Sequence, residues 1–170
     1  GKYYYKCKVC KKEIETDTPS YTIIFDYNDG TGKTETKMFS FDEAEYTVKN
    51  IKRTGYSFKY WVLTKKDGTK GQYAKGQTIP KPASYDDTTI KVKAKWEPIT
   101  YTVIFDADNK TKNTSQVVKY NENIKFPSVS KKGYVLGYWK GQYDGKTVVI
   151  DAGSTKSGLV SKDGGSITLK

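Results

Sequence analysis

Histidine is absent from this 170-residue chain, arginine occurs once, at Arg53, and cysteine twice, at Cys7 and Cys10. Each scarcity excludes something. Without histidine, neither a Ser-His-Asp triad nor a Cys-His pair can be assembled. Hydrolysis would then have to rest on paired carboxylates. The candidate pairs, Asp26 with Asp29 and Asp86 with Asp87, fall in turn-like stretches, where aspartate serves the backbone. Enzymatic activity is therefore not expected. The near absence of arginine removes the usual bidentate reader of guanine and phosphate. Sequence-specific nucleic-acid recognition is not expected either, although a general attraction to polyanions stays open. No apolar run approaches the roughly 18–20 residues that span a bilayer. No signal peptide is visible, since Gly1 is followed directly by KYYYKCK, and the chain stops at SITLK in a strand-like stretch. Both ends read as cuts in a longer protein, so the missing signal says nothing of the parent's location.

Apolar residues are also scarce, at 35% of the chain, which predicts small cores. Aromatics compensate: 15 Tyr, 6 Phe and 3 Trp make 14%. One buried aromatic removes roughly 150–250 Å² from water, so a few can sustain a small domain. The formal charge is +11, nearly all of it lysine, and the excess is spread along the chain.

What the chain does have is an internal repeat. YTIIFD at 21–26 returns as YTVIFD at 101–106. GYSFKYW at 55–61 returns as GYVLGYW at 133–139, AKGQTI at 74–79 lines up loosely with DAGSTK at 151–156, and TIKVK at 89–93 lines up with SITLK at 166–170. Four landmarks keep their order and nearly their spacing. The expected organisation is a segment 1–20 holding both cysteines, a first repeat at 21–98 and a second at 99–170 with its last strand truncated. Pro98, in the linking WEPIT, interrupts any continuing ladder.

Each repeat reads mostly as strand. YTIIFD is rich in β-branched and aromatic residues and runs into the turn-forming DYNDGTG. TETKMFSF (34–41), SFKYWVLT (57–64) and TIKVKAKW (89–96) follow. The last alternates cleanly, with Ile90, Val92, Ala94 and Trp96 on one face and Lys91, Lys93 and Lys95 on the other. DEAEYTVKNIKR (42–53) predicts a helix, because its acids lie early and its bases late, as the helix dipole favours. Its counterpart, NENIKFPSVSKK (121–132), contains Pro127 and allows one helical turn at most.

The order Y-T-V-x-F-D, G-Y-x-F-x-x-W, Y-x-x-G-x-T and I-x-x-x-A-K-W resembles the Listeria–Bacteroides repeat, the internalin-type B repeat of bacterial surface proteins. Both units match, over 21–98 and 99–170, the second cut before its A-K-W. Two departures concern loops: Tyr60 and Tyr138 stand where the family usually has Gly before the Trp, and Asp42 and Asn121 replace a turn Gly. The resemblance implies an α+β, mostly β architecture of two tandem β-grasp-like, ubiquitin-like repeats behind a short CxxC knuckle. It implies an extracellular place, on the surface of or secreted by Gram-positive or gut bacteria. It carries no catalytic residues, and implies spacers, adhesion modules or ligand contacts, with a protein, matrix or glycan as partner. Phe25, Phe105, Tyr56, Tyr134, Trp61, Trp139 and Trp96 are then core candidates.

The stretch KCKVC at 6–10 has four readings. A redox centre needs a lowered thiol pKa; Lys6, Lys8, Lys11 and Lys12 favour it, but no βαβ context surrounds the motif. A disulfide between Cys7 and Cys10 suits an oxidising compartment. Two inert thiols are the plainest reading. A zinc site needs four ligands, and two cysteines with no histidine are half of one. The preferred reading is a remnant of a metal knuckle whose first half lies upstream of Gly1 in the parent protein, similar to zinc-ribbon knuckles. The chain is then expected to be a monomer, or a dimer when zinc bridges two copies.

Two surface features remain. Lys91, Lys93 and Lys95 put three ammonium groups in line, about 6.6 Å apart from the strand rise. They would track sulfates, phosphates or carboxylates of a polymer; the alternative is protection of an edge strand against aggregation. The second repeat has Ser166, Thr168 and Lys170 there, so the row is not repeated. Tyrosines 3–5, Tyr60 and Tyr138 would stack on sugars. In the two Tyr-Trp pairs the tyrosine is expected outward and the larger tryptophan inward. DYNDGT (26–31) and DADNKT (106–111) resemble EF-hand openings, but Lys37 and Lys110 stand where calcium ligands belong.

Overall fold

The computed structural model describes residues 2–84, 88–109 and 111–170 and, within the strands, leaves the side chains of Lys2, Tyr3, Tyr5 and Thr16 aside. The readings that fell on Asp86, Asp87, Lys110 and the rings of Tyr3 and Tyr5 lie outside the described residues. The chain divides into two compact units, Gly1–Ile51 with Phe58–Lys95, and Lys52–Ser57 with Trp96–Lys170.

All regular structure among the described residues is strand. An antiparallel hairpin comes first, β1 (Lys2–Lys6) on β2 (Glu13–Asp17). The first repeat then supplies β3 (Ser20–Asp26), β4 (Thr34–Ser40), β5 (Tyr46–Thr47), β6 (Tyr56–Thr64), β7 (Lys70–Tyr73), β8 (Thr78–Ile79) and β9 (Thr89–Pro98). The second supplies β10 (Thr100–Phe105), β11 (Thr114–Lys119), β12 (Tyr138–Tyr143), β13 (Lys146–Asp151) and β14 (Ser166–Leu169). The two five-stranded sheets share one order, β4-β3-β9-β6-β7 and β11-β10-β14-β12-β13. In each, the first and last strands of the repeat lie side by side and parallel, Ile23 opposite Ile90 and Val103 opposite Ile167.

Alternation decides the cores. Tyr21, Ile23 and Phe25 of β3 point inward, as do Ile90, Val92, Ala94 and Trp96 of β9. Ile23 is wholly buried, and such a side chain contributes about 1.5–3 kcal/mol through the water it sheds. Around Trp61 pack Phe25, Tyr27 and Phe58, with ring centroids 5.1, 5.7 and 5.6 Å away. The second core gathers Tyr101, Val103, Phe105, Trp139, Val160 and Leu169, and Trp139 meets Phe105 at 5.3 Å. Both tryptophans are buried, while Tyr60 is half-buried and Tyr138 is 55% exposed.

The architecture is thus all-β, and the helix expected over 42–53 is absent. Its acids serve a turn instead. Glu43 N–H donates to the Ser40 carbonyl at 3.2 Å, Ser40 N–H donates to Glu43 Oε2 at 3.1 Å, and Ser40 Oγ–H donates to Asp42 Oδ1 at 2.8 Å. Beyond the turn the backbone is extended: Tyr46 and Thr47 pair with Ile79 and Thr78. Val48 is buried and donates to the Gln77 carbonyl at 2.8 Å. An aromatic and a β-branched residue beside a buried valine gain more from this ladder than from helical turns. The second repeat crosses over irregularly and makes the same contact, with Ile124 N–H donating to the Lys156 carbonyl at 2.8 Å.

Two core candidates are also corrected. Tyr134 is 73% exposed, and Tyr56 is only half-buried. Both belong to a repeated turn. Tyr56 N–H donates to the Arg53 carbonyl at 3.1 Å, and Tyr134 N–H to the Lys131 carbonyl at 3.0 Å. Gly55 and Gly133 sit between them at φ +75° and +83°, a conformation that costs other residues about 1–2 kcal/mol. The cation three residues back covers the ring: Arg53 Cζ lies 3.9 Å from the Tyr56 centroid, and Lys131 Nζ 5.3 Å from that of Tyr134. A ring held under a cation is kept at the surface.

Candidate functional site

The lysine row lies where alternation puts it, with Lys91, Lys93 and Lys95 all exposed on β9. Its strand, however, is not an edge. β9 is the central strand, flanked by β3 and β6. Protection against edge pairing therefore does not account for the row. The edges of this sheet are β4 and β7, and β4 carries its own protection. Lys37 stands opposite Ile23 and Glu35 opposite Phe25, so both charges lie on the core side of the edge. Lys37 Nζ is 5.9 Å from the Phe25 ring centroid, 5.8 Å from that of Tyr46 and 3.1 Å from Glu35. An incoming strand would have to bury these charges, which is the inward-charge device of natural edges.

The open face is built by strands already described. Lys93 Nζ pairs with Asp26 Oδ2 at 3.5 Å, and Lys170 Nζ with Asp106 Oδ2 at 3.8 Å, at the same place in the second unit. Asp26 and Asp106 also accept from the N–H groups of Asn28 and Asp108, at 2.8 and 3.2 Å. Asn28 and Asp108 take φ +49° and +46°. The acids that resembled EF-hand ligands are thus spent on turns and on this ion pair. Among the described residues, no three Cys, Asp or Glu side chains converge on one point.

Tyr138 lines a shallow hollow of about 440 Å³ with Lys140, Gly141, Gln142, Thr168 and Lys170. The lysine row and Tyr60 belong to the first unit and this hollow to the second. Ahead of β12, Tyr134–Gly137 lies outside the strands, with Tyr134 bridged to Lys131 and the Gly137 carbonyl accepting from Ala152 N–H at 2.9 Å, whereas its counterpart is part of β6. Val135 there is 95% exposed.

The amino-terminal hairpin carries both thiols at its tip, free and exposed. Cys10 N–H donates to Cys7 Sγ at 3.3 Å. That N–H above all, then the Cys10 thiol and the Val9 N–H, holds the Cys7 thiol below its ordinary pKa. A second pair of titrating groups shifts through a shared bond, Tyr27 with Glu35. Tyr27 O–H donates to Glu35 Oε2 at 2.5 Å. The bond pushes Tyr27 up to about 12 and holds Glu35 below its usual range, with Lys37 assisting.

Sequence reasoning missed the repeated Asp–Lys ion pair and the repeated cation-over-tyrosine turn. Both signals were in the alignment: aspartate closes both YTxIFD landmarks, and a basic residue stands three places before the tyrosine of both GY landmarks.

Comparison with known proteins gives two findings. The Listeria-Bacteroides repeat domain (List_Bact_rpt) matches residues 21–90 and again 101–160. Among curated proteins, Internalin H of Listeria monocytogenes serovar 1/2a is 32% identical over 131 residues, which are 76% of this chain and 21% of that protein. The chain thus spans about a fifth of the length of that relative.

Proposed function

Because the chain belongs to the Listeria-Bacteroides repeat domain family, we propose that it is a non-catalytic tandem-repeat region of a bacterial cell-surface or secreted protein, acting as spacer and adhesion module through protein or matrix contacts. One observation carries this reading: the framework repeats throughout while the solvent face repeats only in part. The buried tryptophans, the parallel central pair, the Asp–Lys ion pair and the cation-over-tyrosine turn occur in both repeats. Among the outward residues Lys59 and Lys91 give way to Gly137 and Thr168, although Tyr60 returns as Tyr138 and Lys93 as Lys170. A scaffold whose surface diverges around a retained core suits spacing and partner contact better than catalysis. The shared strand order, with first and last strands parallel at the centre, supports reading each unit as β-grasp-like with its helix replaced by an extended crossover.

A second reading rests on the central position of β9. Three exposed lysines on an inner strand, one of them tied to Asp26, form a fixed cationic row on an open face. We offer it as a contact for a polyanionic glycan, with Tyr60 beside it and Tyr138 as the stacking ring of the second unit. Retention on heparin and a glycan panel, beside a Lys91/Lys93/Lys95→Gln variant, separates the two. Charge-driven binding fades as salt rises. If the native chain is held at physiological salt and the variant is not, the glycan reading takes over. Equal elution of the two leaves the spacer and protein-contact reading standing. Saturable binding of purified matrix proteins by both would favour its adhesion form.

A further inference from the structure

The hairpin turn at residues 7–12 is shaped around a sulfur. Strands β1 and β2 pair in register up to Lys6 opposite Glu13. Above them Cys7 N–H donates to the Lys12 carbonyl at 2.8 Å, and Lys11 N–H to the Cys7 carbonyl at 3.0 Å. Lys11 takes φ +62°, which brings the chain back sharply. Inside this closed turn the Cys10 N–H points at Cys7 Sγ from 3.3 Å.

We propose that Cys7 and Cys10 form a preorganised half-site for a thiophilic divalent cation, zinc foremost, and that a second copy of this chain supplies the other two thiolates. Zinc in a structural site takes four ligands in a tetrahedron, with Zn–S near 2.3 Å. The chain has two cysteines and no histidine, so it cannot supply four such ligands alone. A thiolate that ligates a metal needs donors to orient it and spread its charge, and the Cys10 N–H is already placed for this. Two observations favour a second copy as the occupant. The tip is open to solvent, and Val9, between the two cysteines, is 91% exposed. A facing copy would cover that apolar side chain. The charges make the pairing conditional on metal. Lys6 is paired with Glu13 at 3.3 Å, and Lys11 Nζ is tied to the Lys8 carbonyl at 3.0 Å. The basic tip otherwise repels its like, whereas a Zn²⁺ with four thiolates has a net charge of −2 that attracts the lysines of both copies. Binding releases the thiol protons as the four Zn–S bonds form, with no change of oxidation state.

The test uses the whole 170-residue chain, kept reduced and titrated with Zn²⁺ and with Co²⁺. Mass by light scattering is followed beside the cobalt spectrum. The expected result is one metal per two chains, a doubling of mass reversed by chelator, and the thiolate-to-cobalt charge-transfer band of a tetrahedral site. Cys7→Ser and Cys10→Ser should each abolish the doubling and the band, with the circular dichroism of the sheets unchanged. Binding of one metal per chain without doubling overturns the second-copy bridge. Equal dimerisation of the serine variants, or no charge-transfer band, overturns the site itself.

Discussion

Replacing Gly141 by alanine tests the packing of the second unit at its tightest point. Gly141 faces Leu169 across β12 and β14. A Cβ at this place would lie 2.5 Å from the Thr168 carbonyl oxygen, 2.9 Å from Leu169 Cδ2 and 3.4 Å from Ile167 Cδ1. The first of these is backbone in the middle of the sheet, so it cannot turn aside as a side chain would. The backbone conformation of Gly141 is ordinary, so the cost is crowding and not a forbidden φ. Overpacking of this kind costs about 1–3 kcal/mol. For a unit of this size that is about 4–24 °C in Tm, at about 4–8 °C per kcal/mol. The first repeat shows how the same space is otherwise filled, with Leu63 and Val92 at the corresponding places. Calorimetry of the chain, with hydrogen exchange at Ile167 and Leu169 to assign the affected transition, reads the loss. Gly137→Ala is the control, since a Cβ there meets nothing within 4 Å; it should leave Tm unchanged or raise it slightly. Leu169→Ala added to Gly141→Ala should not restore stability, because the clash with Thr168 remains. An unchanged Tm for Gly141→Ala, or full recovery in the double variant, would refute the argument.

Trp61→Ala and Trp139→Ala should each cost about 3–5 kcal/mol, as large-to-small core changes do, and denaturant unfolding should show each loss confined to the unit that holds the residue. Tyr27, raised to about 12 by its bond to Glu35, is harder to ionise folded than unfolded. Its contribution is therefore present below about pH 10 and lost between about 10 and 12; alkaline unfolding of the native chain should be steeper there than that of Tyr27→Phe, and identical curves would count against the bond. Glu35 is held low, so its contribution is present above its ordinary range and fades as pH falls through it, an acid sensitivity that Glu35→Gln should blunt. Lys37→Val removes the inward charge from β4 and should raise light scattering on concentration without lowering Tm; a clear, monodisperse variant would show that the edge is guarded by something else.

What could be read from the sequence was what depends on neighbours along the chain. The alternation of TIKVKAKW placed Ile90, Val92, Ala94 and Trp96 inward without error, and the Tyr-Trp pairs turned the tryptophan in. What failed depends on distant partners. Whether β9 is an edge or the centre is set by β3 and β6, more than sixty and about thirty residues away, and alternation is silent on that. The charge gradient over 42–53 suited a helix, but Ser40 and the strand at Thr78–Ile79 claimed its acids and its backbone. Tyr56 and Tyr134 were read as core on the family resemblance; the cation three residues earlier was the contrary sign. At Cys7 and Cys10 the spacing of two thiols was legible, while the turn that aims an amide at one of them appears only in the fold.

The parallel pairing of first and last strands has a mechanical meaning. In each repeat the first and last strands are these neighbours, running in the same direction, so the start of the first and the end of the last lie at opposite ends of the pair. Tension applied along the polypeptide loads the interface in shear. The ladder from Thr22 opposite Thr89 to Asp26 opposite Lys93 must then give way together, where a hairpin pulled from its open end would unzip one bond at a time. The ion pair between Asp26 and Lys93 sits at the last rung of that ladder.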